Sequence, residues 1–116
     1  MFHAHVYFDL PQLDLAEQVR QRIITERKAD ILAIYPLVPR LVGPHDKPMF
    51  EMHFADNQTG FIDWLDQHRE GLSVLIHPVS ENELNDHTIH ARWLGKQLPV
   101  HTEIFTAQRQ SFPPET

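Results

Sequence analysis

The chain contains no cysteine in its 116 residues. That excludes disulfides, thiolate metal sites and cysteine nucleophiles, and is neutral about compartment. Basic residues are also scarce: 10 Lys and Arg stand against 16 Asp and Glu, a net charge of −6. A protein that grips nucleic-acid phosphates needs a basic patch, so no nucleic-acid partner is expected. No apolar run approaches the roughly 20 residues that a membrane-spanning helix needs, so no membrane partner is expected either. The first strand-like run begins at Phe2, leaving no room for an export signal, and the cytoplasm is the expected location. Internal repeats and low-complexity tracts are lacking. A hydrophobic fraction of 41% in a chain of this length describes one soluble domain, 1–116, with 102–116 as an extended tail.

What the sequence has in excess is histidine. There are nine, at positions 3, 5, 45, 53, 68, 77, 87, 90 and 101. Imidazole is the commonest metal ligand and titrates nearest neutrality, so the surplus points to a metal or acid/base site.

The pattern of apolar residues predicts where these side chains lie. In Phe2 to Phe8, Ala4, Val6 and Phe8 alternate with His3, His5 and Tyr7, as in a half-buried strand. Asp14 and Glu17 have capping-box spacing, and Ala16, Val19 and Ile23 recur at helical spacing to about Arg27. A second strand is expected over Ile31 to Tyr35. Pro36, Pro39, Pro44 and Pro48 then punctuate a long loop. Met49 to Phe54 reads as a third strand, with Met49, Glu51 and His53 on one face. Phe61, Trp64, Leu65 and His68 mark a second helix, which Gly71 can end. Leu72 to His77 is a fourth strand. Ser80 and Glu83 form a second capping-box spacing, predicting a short C-terminal helix to about Trp93.

The order strand, helix, strand, strand, helix, strand is that of an α+β ferredoxin-like fold. Such a fold has a four-stranded antiparallel sheet with two helices on one face. The other face must be covered by the C-terminal segment or a second subunit. A homodimer is expected, because Tyr7, Met49 and Leu75 on that face are poorly suited to water. The topology brings the start of strand one beside the ends of strands three and four. His3, His5, Glu51, His53 and His77 then share the open face, and the helix carrying His87 and His90 can fold over them. His45 starts at the opposite end, and reaches them only if its loop bends over or if it comes from a partner.

Several stretches together resemble the DOPA 4,5-dioxygenase family. They are His3-Ala4-His5-Val6-Tyr7-Phe8-Asp9, Gly43-Pro44-His45, Trp64-Leu65, Leu75-Ile76-His77-Pro78, and Asp86-His87 continuing through Trp93-Leu94-Gly95. Each alone is weak, but they occur in family order over nearly the whole chain. The resemblance implies a ferredoxin-like fold and extradiol cleavage of a catechol such as DOPA, with iron as cofactor and dioxygen as co-substrate. It also implies functional roles for His3, His5, His45, His77 and His87, whereas His53 and His101 are not among the family's fixed residues.

Extradiol chemistry calls for Fe(II) with open positions, commonly held by two histidines and a carboxylate. His5 and His77 are the first candidates for ligands, with His3 or His45 next. Glu51 is the one carboxylate the strand parity places beside them. His87, or failing that His45, is the candidate acid/base residue, since both lie on segments that fold over the strand floor. Tyr7, His53, His90 and Trp93 are candidates to line the substrate pocket, packing roles being the plainer alternative. Zinc can replace iron during purification. Two other classes fit the same residues: a zinc-bound or metal-free hydrolase or isomerase, and a non-enzymatic dimeric binding module.

Overall fold

A computed structural model describes residues 1–105. Its five strands are β1 (Phe2–Tyr7), β2 (Ile31–Ile34), β3 (Met49–Phe54), β4 (Val74–Pro78) and β5 (Arg92–Leu94). They form one sheet in the order β2-β3-β1-β4-β5, every neighbour antiparallel. The helices are α1 (Leu13–Glu26), α2 (Phe61–His68) and the single turn α3 (Glu83–Asp86). The first four strands with α1 and α2 are the expected ferredoxin-like unit, with β1 and β3 central, and β5 extends it at the β4 edge. No helix among the described residues is long and apolar enough to cross a membrane.

The period-two pattern decides the layers. Ala4, Val6, Phe50, Met52, Phe54, Val74 and Ile76 leave the sheet on one side and meet Ala16, Val19 and Ile23 of α1 and Phe61, Ile62 and Leu65 of α2. Large side chains buried this way contribute about 1.5–3 kcal/mol each relative to exposure, so this layer fixes the register of the strands.

Three local expectations are corrected. Helix α1 opens without the Asp14/Glu17 box. A 3-10 turn at Leu10–Gln12 precedes it, and the Gln12 side chain accepts from the Asp9 N–H at 2.9 Å. Helix α3 ends at Asp86 rather than running to Trp93, and its cap is Asn82, whose side chain accepts from the Asn85 N–H at 3.0 Å. Arg92–Leu94, its first two residues expected to end that helix, pairs with β4 so that Trp93 lies opposite Leu75. The strand wins because alternation sends Leu94 into the helix-side core and Trp93 onto the other face. Gly95, at φ +75, then turns the chain out of the sheet.

The chain itself covers the second face. Tyr7, Met49, Leu75 and Leu98 form a buried cluster there, with Ala91, Trp93 and Val100 packed against it. Residues 98–101 cross the face as a strap, tied to the proline-rich loop by an isolated bridge between Val100 and His45. The reason given above for a homodimer therefore no longer holds. The tail expected over 102–116 is helical at 103–105, and its remainder lies outside the described residues.

Candidate functional site

Strand register builds the floor of the site. On the face away from α1 and α2, His53, His3 and His77 lie side by side across β3, β1 and β4, and Glu51, His5 and Leu75 form the next row. His5 and His77 are buried. Their Nε2 atoms face each other at 3.0 Å. His3 completes a trio with them, its nearest ring nitrogen within 4.8 Å of theirs.

Two further histidines arrive from above. The loop after β2 bends over the sheet within the same chain, so His45 is buried with its ring 4.2 Å from that of His5. Tyr7 holds it there, with its hydroxyl 2.7 Å from His45 Nδ1. Burial pushes the Tyr7 pKa up, so the phenol keeps its proton in this hydrogen bond. His87 follows α3, with its ring 4.0 Å from that of His77. Asp86 fixes that turn. Its buried carboxylate accepts from the Ser80 N–H and hydroxyl, both at 2.8 Å. This anchor was not identified from sequence, although a serine six residues before the acid was its available signal.

A backbone carbonyl can only accept, so carbonyl contacts reveal which ring nitrogen carries the proton. His77 Nδ1 lies 2.7 Å from the Pro78 carbonyl and His87 Nδ1 lies 2.8 Å from the Glu83 carbonyl. Both rings therefore carry the proton on Nδ1 and present a bare Nε2. Facing the bare Nε2 of His77, His5 must place its own proton on Nε2. Its Nδ1 is then a bare acceptor, buried without a hydrogen-bond partner and 3.6 Å from the Glu51 carboxylate.

The electrostatics favour the neutral form of His3, His5, His45 and His77. Burial holds His5 well below the ordinary histidine range, and the neighbouring imidazoles, His45 and His77 first, add to this. Burial likewise lowers His45 and His77 to about 4 each, with His87 adding to the shift in both. His3 is lowered by burial and then by His53. Ligands free of competing protons are what a metal requires.

The donor set fits a metal ion. Two nitrogens bound about 2.1 Å from one ion at a right angle stand about 3.0 Å apart, as His5 and His77 do. An ion on His5 Nε2 would move that ring's proton to Nδ1, turning the unpartnered atom into a donor aimed at Glu51. The carboxylate expected as third ligand is instead beside the trio. Register places Glu51 opposite His5, and its Oε2 is taken by His53 Nε2 at 2.6 Å.

A pocket of about 290 Å³ opens over the trio, walled by Pro44, His45, His87, Ile104 and Phe105. None of the four proposed substrate-lining residues borders it. Tyr7 lies behind His45, and Trp93 stacks on Tyr7 with ring centroids 5.8 Å apart. His53 stacks on His3 with centroids 3.6 Å apart, and His90 is exposed elsewhere. His101 pairs with Asp46 at 2.8 Å.

The sequence model of the Dopa 4,5-dioxygenase family matches residues 2–104. The chain belongs to that family. Within the Dopa 4,5-dioxygenase family, it is 27% identical to a DOPA 4,5-dioxygenase from Amanita muscaria over 97% of its own length and 52% of the relative's. An uncharacterized 21.2 kDa protein from Botryotinia fuckeliana is 36% identical over 94% of this chain and 65% of its own. The chain thus spans between half and two thirds of these curated relatives. A crystal structure from Nostoc punctiforme, of a protein provisionally assigned as a dioxygenase, superposes with a TM-score of 0.80 at 31% identity. That match covers 92% of this chain and 91% of the other.

Proposed function

We propose that this protein is an extradiol dioxygenase that opens the ring of a catechol at a non-haem Fe(II) ion held by His3, His5 and His77. The observation that carries the metal is the His5–His77 pair, with two buried Nε2 atoms 3.0 Å apart and a His5 Nδ1 that lacks a partner. Family membership and the Nostoc fold match support the reaction class.

Iron(II) bound there would supply the redox-active centre at which a catecholate and dioxygen combine, both oxygen atoms ending in the ring-opened product. The chain's own residues handle protons and exclude water. His87 Nε2 is bare, because its Nδ1 donates to Glu83, so His87 is the base that accepts a catechol hydroxyl proton. With its Nδ1 engaged by the Tyr7 hydroxyl, His45 has Nε2 left for proton exchange with a bound catechol. Pro44, Ile104 and Phe105 give the pocket apolar walls suited to an aromatic ring.

The deciding experiment is anaerobic loading with Fe(II), followed by a catechol panel in air with dioxygen uptake and product absorbance recorded. A yellow ring-opened product with one dioxygen consumed per catechol is expected. Iron-loaded, folded protein that consumes no dioxygen with any catechol would overturn the assignment. One observation favours a second reading. The inner trio has no carboxylate, a donor set also used by hydrolytic zinc sites. Metal analysis after anaerobic purification separates the two: retained iron favours the dioxygenase and tightly held zinc the hydrolase.

A further inference from the structure

Beside the inner trio, a second group of donors shares His3 with it and adds Glu51 and His53, which the chemistry above does not use. His3, Glu51 and His53 each present a ligand atom, and all three atoms lie within 4.8 Å of one another. His53 Nε2 is 2.6 Å from Glu51 Oε2, and His3 Nδ1 is 3.9 Å from that same oxygen. The two imidazoles stack nearly parallel, 8° apart, so their edges point the same way.

We propose that His3, Glu51 and His53 form an outer binding site for a divalent first-row transition-metal ion, and that this site competes with the inner trio for His3. Two imidazoles and one carboxylate suit iron, zinc or cobalt. The site differs from the inner one in access. The side chains of His3, Glu51 and His53 are 22%, 29% and 16% exposed, against 3% for His5. His3 and Glu51 also border the pocket, whereas His53 lies outside its lining, so the outer donors stand at the pocket's edge. Binding there exchanges the His53–Glu51 hydrogen bond for two bonds to the ion, while the His53 proton shifts to Nδ1.

The competition follows from electron pairs. A neutral imidazole has one lone pair, so His3 serves one ion at a time. Glu51 touches both sites but divides cleanly, with Oε1 toward His5 and Oε2 toward His53. An outer ion therefore leaves the His5–Glu51 contact in place and removes one of the three inner ligands. Excess metal then weakens the inner site. The inference concerns metal alone and does not depend on the reaction proposed above.

The test is a cobalt(II) titration followed by visible absorption and by metal analysis, with circular dichroism as a check on folding. His77→Ala breaks the inner site and should still take up one equivalent of cobalt. The double variant His77→Ala/His53→Ala should take up none. A folded His77→Ala that binds no cobalt, or a double variant that binds like the single, would overturn the proposal. If His77→Ala does not fold, the outer donors are removed from the intact chain with His53→Gln or Glu51→Gln. The weaker second phase of uptake should then disappear and the first remain. An unchanged titration in both variants would equally overturn it.

Discussion

At the scale of single residues, the site divides between histidines that hold an ion and histidines that move protons. His5→Ala or His77→Ala should abolish retention of iron at the inner site through desalting and leave only the weaker uptake by the outer donors, with the fold intact, as metal analysis with circular dichroism would show. The loss should exceed the ~10–100-fold typical of residues that only support a ligand. His87→Ala should keep iron and bind catechol but turn it over slowly, with the acidic limb of the pH–rate profile altered. Loss of iron in that variant would make His87 a ligand instead. Strand parity alone placed His3, His5, Glu51, His53 and His77 on one face, because a half-buried strand admits one assignment of inside and outside. The position of His45 was not legible. Its loop has no period, and the hydroxyl that holds it belongs to Tyr7, 38 residues earlier.

At the scale of elements, the turn between β4 and β5 aims His87. Asp86→Ala would remove the acceptor of the Ser80 N–H and hydroxyl; Ser80 is exposed, so water replaces part of the loss and an effect of about 1 kcal/mol is expected. A denaturation midpoint below wild type is expected, with turnover reduced more than iron content because His77 sits on the strand before the turn. Equal loss of both would show that α3 also supports the ligands. This segment is also where the sequence misled. The Ser80/Glu83 spacing imitates a capping box, yet Ser80 serves Asp86 and the helix stops after one turn. A three-residue strand such as β5 is too short to show a period, and only pairing with β4 reveals it.

At the scale of the whole molecule, the buried histidines make stability depend on pH. His45 and His77 titrate near 4 in the folded protein, against about 6.5 in an unfolded chain. Between those values the unfolded state binds more protons, so stability falls as pH drops from about 6.5 to about 4 and flattens below. Urea midpoints measured across pH 4–8 on metal-free protein should show that slope, and a flat profile would contradict it. The oligomeric state is a separate question. With Tyr7, Met49 and Leu75 covered by the chain's own strap, a homodimer would need another apolar surface, such as exposed Leu32, Tyr35 and Leu41. Light scattering that returns only a 13.6 kDa species would remove the homodimer.

The tie between the strap and the proline-rich loop has a further consequence. Val100 bridges His45, the His101 N–H donates to the Pro44 carbonyl at 2.8 Å, and the His101 ring pairs with Asp46. These contacts seat His45, whereas His3, His5 and His77 are placed by strand register. Metal capture thus rests on the sheet and the seat of His45 on the strap, with Tyr7 and Leu75 joining the two. Damage to the strap, such as a protease cut near Lys96, would strike proton delivery first. The protein would then still load with iron, and a metal assay alone would score it as sound.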